Sequence, residues 1–201
     1  VTIDPASAYE FTSGEYVANT YDTLVRYAAA DTTVLAPALA TEWSVDAAAK
    51  PVTFTLRDGV SFHSGNPLRA EDVLGSWTRV VTLNKAPAFM LNQLGWTAEN
   101  IDQMVTAEGN TVTVKYEGDF APAGVLNVLA ARPASVGDMV TAMANEVDGD
   151  MGHAWMNRNS AGTGPFKLRT YRPAELLALD ANADYYQGAP AMSRVLIQHI
   201  P

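Results

Sequence analysis

The 201-residue chain contains no cysteine, which excludes disulfides and thiolate metal sites. It also lacks any run of about 18 or more apolar residues, so no segment reads as a membrane-spanning helix. Positive charge is scarce: 13 Lys and Arg against 22 Asp and Glu give a net charge of −9. Nucleic acid and anionic membrane surfaces are therefore poor partners. The three histidines, His63, His153 and His199, show no H-E-x-x-H spacing, and with no Cys companions a closed zinc site has no support. Internal repeats and low-complexity tracts are also missing. What is present is ordinary globular content, 48% hydrophobic and 17% charged residues, in a length that suits one large domain or two small ones.

The densest local signal runs from Pro51 to Val81. Val52, Phe54 and Leu56 alternate with polar residues, and Val60 and Phe62 resume the alternation after Asp58-Gly59, which predicts a β-hairpin. Ser64-Gly65-Asn66-Pro67 is a cluster of turn formers. A helix is predicted next, with Glu71 and Asp72 in its first turn and Val73, Trp77 and Val80 on one face. A second hairpin is predicted over Asp102 to Tyr116, around Glu108-Gly109-Asn110, and a further helix around Gly14 to Arg26 from the spacing of Val17, Tyr21, Leu24 and Val25. Strands are expected from Phe166 to Tyr171 and from Ser193 to Ile200.

These same residues carry a resemblance. Thr53, Phe54, Leu56, Arg57, Gly59, Val60, Phe62, His63, Gly65, Pro67, Ala70, Asp72, Val73, Ser76 and Trp77 stand in the register of the signature of family 5 extracellular solute-binding proteins. A second block matches in the expected order: Gly162-Thr163-Gly164-Pro165-Phe166, Leu168, Asn182, Tyr185, Gly188, Pro190 and the closing Ile200-Pro201. Ile3-Asp4-Pro5 and Tyr21-Asp22-Thr23-Leu24-Val25 resemble a third, with Asp22 where Glu is commoner. The family comprises receptors serving ABC importers. The resemblance implies a mixed α/β lobe of periplasmic-binding-protein type II, divided into a first-lobe segment at 1–38, an inserted β-rich subdomain at 39–133 and a return to the first lobe at 134–201. Family members are more than twice as long, so a second lobe is expected outside this chain, as is any leader peptide.

The function implied is capture of a small solute, most simply a di- or oligopeptide, in a cleft between two lobes and its delivery to membrane permease subunits, without an enzymatic step or a cofactor. A monomer is expected, periplasmic or lipid-anchored at the surface of a single-membrane bacterium. Glutathione, opines, oligosaccharides and chelated nickel stay open as solutes. The family's ligand-facing loop after its D-P motif corresponds to Tyr9, Glu10 and Phe11, with Glu15 close behind. An aromatic beyond the signature helix corresponds to Phe89, next to Met90; peptide receptors carry Tyr there, so this chain offers stacking or apolar cover in place of a hydroxyl. Trp96 and Trp155 to Asn157 are further candidates.

Three alternatives are weighed against this. Ser64, Ser76 or Ser160 could serve a hydrolase, but no G-x-S-x-G elbow supports it, and His63 and Ser64, as strand neighbours, point to opposite faces. Gly162 to Pro165 lacks the Lys and following helix of a phosphate loop and reads as a turn launching a strand. A sensor or chaperone-like binding module on the same fold is the third.

Overall fold

A computed structural model describes residues 2–46 and 51–198. The first helix, α1 (Phe11–Thr20), is followed by a two-stranded ribbon of β1 (Val25–Tyr27) and β2 (Leu35–Pro37). Then come β3 (Ala40–Val45), β4 (Val52–Leu56), α2 (Ala70–Leu83), the short helices α3 (Phe89–Asn92) and α4 (Ile101–Met104), β5 (Val105–Glu108) and β6 (Thr111–Val114). These strands form an antiparallel sheet of order β3-β4-β6-β5. Three helices follow, α5 (Pro122–Leu129), α6 (Met139–Ala144) and α7 (His153–Met156), and the antiparallel sheet β7 (Phe166–Arg172), β8 (Leu176–Ala181), β9 (Arg194–Gln198) ends the described chain. Among the described residues no helix is long and apolar enough to cross a membrane.

The alternation in β4 buries Val52, Phe54 and Leu56 on one face, and α2 lies over that face with Val73, Trp77, Val80 and Val81 buried. Asp72 starts the helix: its carboxylate accepts from the Arg69 backbone N–H at 3.0 Å and from the Arg69 guanidinium at 2.9 Å, satisfying donors that the first turn leaves free. Asn84 closes the helix in the left-handed conformation, φ 45°. The predicted second hairpin is β5–β6, turning at Gly109 with φ 58°.

Two expectations are corrected. Val60 and Phe62 are buried but do not pair with β4, because β3 and β6 already occupy both its edges. The segment instead folds back on itself, with Phe62 N–H donating to Asn66 O and Leu68 N–H to Val60 O. The first helix ends at Thr20 rather than near Arg26. Beyond it Asp22 forms a β-bridge with Val136, and the Leu24 carbonyl accepts from Ala38 and Ala40, so Leu24 and Val25 are buried as extended chain. The predicted last strand is present as β9, paired to β8; His199, Ile200 and Pro201 lie outside the described residues.

Two apolar cores result. One lies between the four-stranded sheet, α2 and α5, and also takes in Ala6, Leu24 and Val25. The other gathers Ile3, Tyr16, Val17 and Tyr21 against Phe166, Leu177 and Leu179 of the last sheet. The glycines of the 162–165 motif owe their identity to a close approach: a Cβ on Gly162 would stand 1.8 Å from the Thr20 carbonyl oxygen, and one on Gly164 2.5 Å from the same carbonyl carbon. Thr163 and Tyr185 complete this junction by donating to the Asp22 carboxylate at 2.7 and 3.0 Å. Burial pushes that carboxyl above its ordinary range, against the pull of these hydrogen bonds.

Candidate functional site

The segment before α1 is held by a buried charge cluster. Asp4, fully buried, receives two hydrogen bonds from Arg79 of α2, at 3.1 and 2.7 Å, and one contact from His153 Nδ1 of α7 at 2.7 Å. The Ala6 N–H donates to the same carboxylate at 2.9 Å, and the Asp4 carbonyl accepts from Ser7 and Ala8, curling the chain into a turn. Asn157 adds a side-chain acceptor for Thr2 and for the backbone N–H groups of Ile3 and Asp4. Burial alone would raise the Asp4 carboxyl, but the His153 and Arg79 hydrogen bonds outweigh it and hold the group below its usual value.

This anchored turn presents Tyr9, Glu10 and Phe11 to solvent. Tyr9 is 60% exposed and Phe89, at the start of α3, 55%, yet their rings meet edge to face with centroids 5.9 Å apart. Tyr9 and Met90 line a groove of about 370 Å³ together with Tyr27, Arg132 and Pro133. The Arg132 guanidinium packs close against α1, where a Cβ on Gly14 would fall 2.1 Å from its nitrogen and oblige the side chain to shift. An aromatic pair left exposed beside a cation is a surface with stacking area and one positive handle.

Of the residues expected from the sequence, Tyr9, Phe89 and Met90 are therefore brought together. Glu10 and Phe11, the latter 79% exposed, stand on the same loop without lining the groove. Glu15 is exposed on α1, and Trp96 is fully buried against Trp77. Trp155 is half-buried and lines a different cavity. Arg132 and Tyr27 were not singled out by sequence; an Arg before a Pro and a Tyr at a strand end carry no local signal of facing a common space.

Ser64 donates to Asp138 at 2.6 Å, and Ser76 donates to the Asp72 carbonyl at 2.7 Å while accepting from Gly137 N–H at 2.9 Å. Ser160 does meet His63 Nδ1, but the other ring nitrogen is spent on the Gly164 carbonyl at 3.0 Å, where a triad would need an acid. With Nε2 donating to that carbonyl, Nδ1 accepts from the Ser160 hydroxyl, and the histidine fastens the 162–164 turn. Burial pushes His63 down to about 4. An unfolded chain takes up this proton below its ordinary value of about 6.5, the folded one only near 4, so the contribution is whole above pH 6.5 and fades as pH falls between the two. The expected result is that wild type loses up to about 3 kcal/mol more stability than His63→Gln between pH 7.5 and pH 4.5 in urea melts. Parallel pH curves for the two proteins would remove this role. No group of three or more His, Cys, Asp or Glu side chains that could hold a metal ion occurs among the described residues.

Residues 34–201 match the family described as bacterial extracellular solute-binding proteins, family 5 middle. The chain is 29% identical to the probable D,D-dipeptide-binding periplasmic protein DdpA of Escherichia coli, over 99% of this chain and 37% of that one. It is also 29% identical to di/tripeptide-binding protein 2 of Pseudomonas aeruginosa, over 96% of this chain and 38% of that one. Among solved structures it resembles the ABC transporter-associated periplasmic binding protein DppA from Helicobacter pylori in complex with the peptide STSA. That likeness has a TM-score of 0.81 at 28% identity and covers all of this chain and 41% of that one. The chain thus spans well under half the length of these relatives.

Proposed function

Because the chain belongs to the bacterial extracellular solute-binding proteins of family 5, we propose that it forms the part of an importer's receptor that docks the solute, most simply a di- or oligopeptide. The observation that carries this reading is the Tyr9–Phe89 pair, more than half exposed, of which Tyr9 lines one groove with Met90 and Arg132 while Phe89 packs on Tyr9 beside it. In it an extended peptide lays side chains on the two rings while the Arg132 guanidinium takes a carboxylate or a backbone carbonyl. Glu10 and Phe11 stand exposed on the same loop, where a closing second lobe would reach them. No bond is made or broken; binding drives hinge closure, and the closed form is what permease subunits of an ABC importer recognise. The names of the relatives, a D,D-dipeptide and a di/tripeptide receptor and a structure holding STSA, support a peptide over the other solutes.

The same reading takes the protein to be a monomer, periplasmic or lipid-anchored at the cell surface. It divides the chain into first-lobe segments at 1–38 and 134–201 and an inserted subdomain at 39–133; in its support, the core against the last sheet draws only on 1–38 and 134–201, although the other core takes in Ala6, Leu24, Val25, Ala134 and Val136 as well. In calorimetric titrations of the full receptor with di- and tripeptides, Phe89→Ala and Arg132→Ala are each expected to weaken binding by about tenfold or more, some 1.4 kcal/mol. Unchanged affinity in both variants would place the solute elsewhere.

A further inference from the structure

A second cavity, also about 370 Å³, shares no lining residue with the groove. It lies where α7 and the chain after it meet β7. Arg158, Lys167 and Arg169 line it, with Trp155 and Leu168 as apolar wall and the His63–Ser160 pair beside them. In a chain of net charge −9, three cations around one cavity reverse the local sign. Their neutralisation is incomplete. Arg169 is paired with Asp180 at 3.0 Å, but Asp180 is also shared with Arg194 at 2.7 Å, and among the described residues Arg158 and Lys167 form no salt bridge. Asp138, reached through Ser64 and Thr141 at the rim, is fully buried and already accepts from both hydroxyls and from Asn66. Lys167 is half-buried on β7, and its charge adds to the burial that disfavours a proton on His63. Lys167 thus brings to the cavity lining an ammonium without a salt-bridge partner, which a bound anion would supply. The irregularity of β7 between Leu168 and Thr170 sets Arg169 outside the regular pairing with β8.

We infer that this cavity is a second binding site, for a small organic anion whose carboxylate or phosphate meets Arg158 and Lys167 and whose apolar body lies on Trp155. The chemistry follows from the lining: two cations without a salt bridge fix the head, an indole and a leucine side chain fix the body, the His63–Ser160 pair adds no charge, and the Asp138 carboxylate behind the rim is already taken up by Ser64, Thr141 and Asn66. Occupancy also ties α7 to β7 next to the turn that His63 fastens, so the bound form is the more stable one.

The test is titration of the full protein with phenyl phosphate at constant ionic strength, followed by calorimetry and by backbone amide NMR, with inorganic phosphate in parallel. The inference expects saturable binding of phenyl phosphate, tighter than that of inorganic phosphate, shifting the amides of Ser160, Lys167 and Leu168 and weakened about tenfold or more in Arg158→Met/Lys167→Met. These substitutions keep the aliphatic stems and so the packing. Phe89→Ala is expected to leave this binding unchanged, which separates the site from the groove. Absence of saturable binding at millimolar phenyl phosphate, equal affinity for inorganic phosphate, or undiminished binding in the double variant would each overturn it.

Discussion

Arg79→Met is expected to destabilise the protein by about 3–5 kcal/mol, the cost of leaving a buried charge without its partner. The Arg79 side chain is 3% exposed and Asp4 0%. Removing the guanidinium takes away both hydrogen bonds to that carboxylate and the one from Nε to the Met151 carbonyl at 2.7 Å. His153, whose side chain is 27% exposed, remains as a weaker partner. The double variant Arg79→Met/Asp4→Asn removes the charge along with its partner and is expected to lose less than Arg79→Met alone, a reversal that simple loss of packing would not produce. Asp4 is held below its ordinary value, so its contribution is present above the unfolded pKa and is lost as pH falls through the folded one. Wild type should therefore lose this increment on acidification, and Arg79→Met should not. Urea unfolding of the three proteins at neutral and acid pH measures all of this; a loss below about 1 kcal/mol in Arg79→Met would show that the cluster does not hold the fold together. Since Asp4 curls the chain that carries Tyr9, the same variant should also bind solute less tightly at temperatures where it remains folded.

Trp77→Ala is expected to cost a similar amount, about 3–5 kcal/mol, by a different cause. The indole is fully buried between α2 and the four-stranded sheet, stacks on Trp96 with centroids 5.4 Å apart, and donates from Nε1 to the Ala134 carbonyl at 3.0 Å. Truncation leaves a cavity that the sheet cannot collapse into and strips the Ala134 carbonyl of that donor. Trp43, only partly buried on β3, is the internal comparison and should cost clearly less when truncated. A negligible shift of the unfolding midpoint in Trp77→Ala would mean that α2 is not seated on the sheet as described.

Local periodicity made β4, α2 and the β5–β6 hairpin legible, because in each the sequence spacing and the burial share one period. It misled at Val60 and Phe62, where alternation correctly reported burial but could not report that both edges of β4 were already taken. It misled again past Thr20, where Tyr21, Leu24 and Val25 are buried at helical spacing while the chain between them is extended. Gly162 and Gly164 read as turn residues; that they clear a path for the Thr20 carbonyl is a contact across some 140 positions and leaves no local trace. Of the groove residues, Tyr9 and Met90, with Phe89 packed on Tyr9, were reachable through the family resemblance. Arg132 was not, since its position beside Gly14 depends on how α1 meets the chain after α5. Trp155, a further candidate beside them, is carried by the fold to the other cavity.

The most direct test of the central claim is native mass spectrometry of the receptor purified from its own cells, followed by denaturation and sequencing of whatever is released. The account predicts a non-covalent guest of peptide mass, lost on denaturation and absent from Phe89→Ala/Arg132→Ala purified in the same way. A receptor that carries no guest and gains none on incubation with a di- and tripeptide library would contradict it.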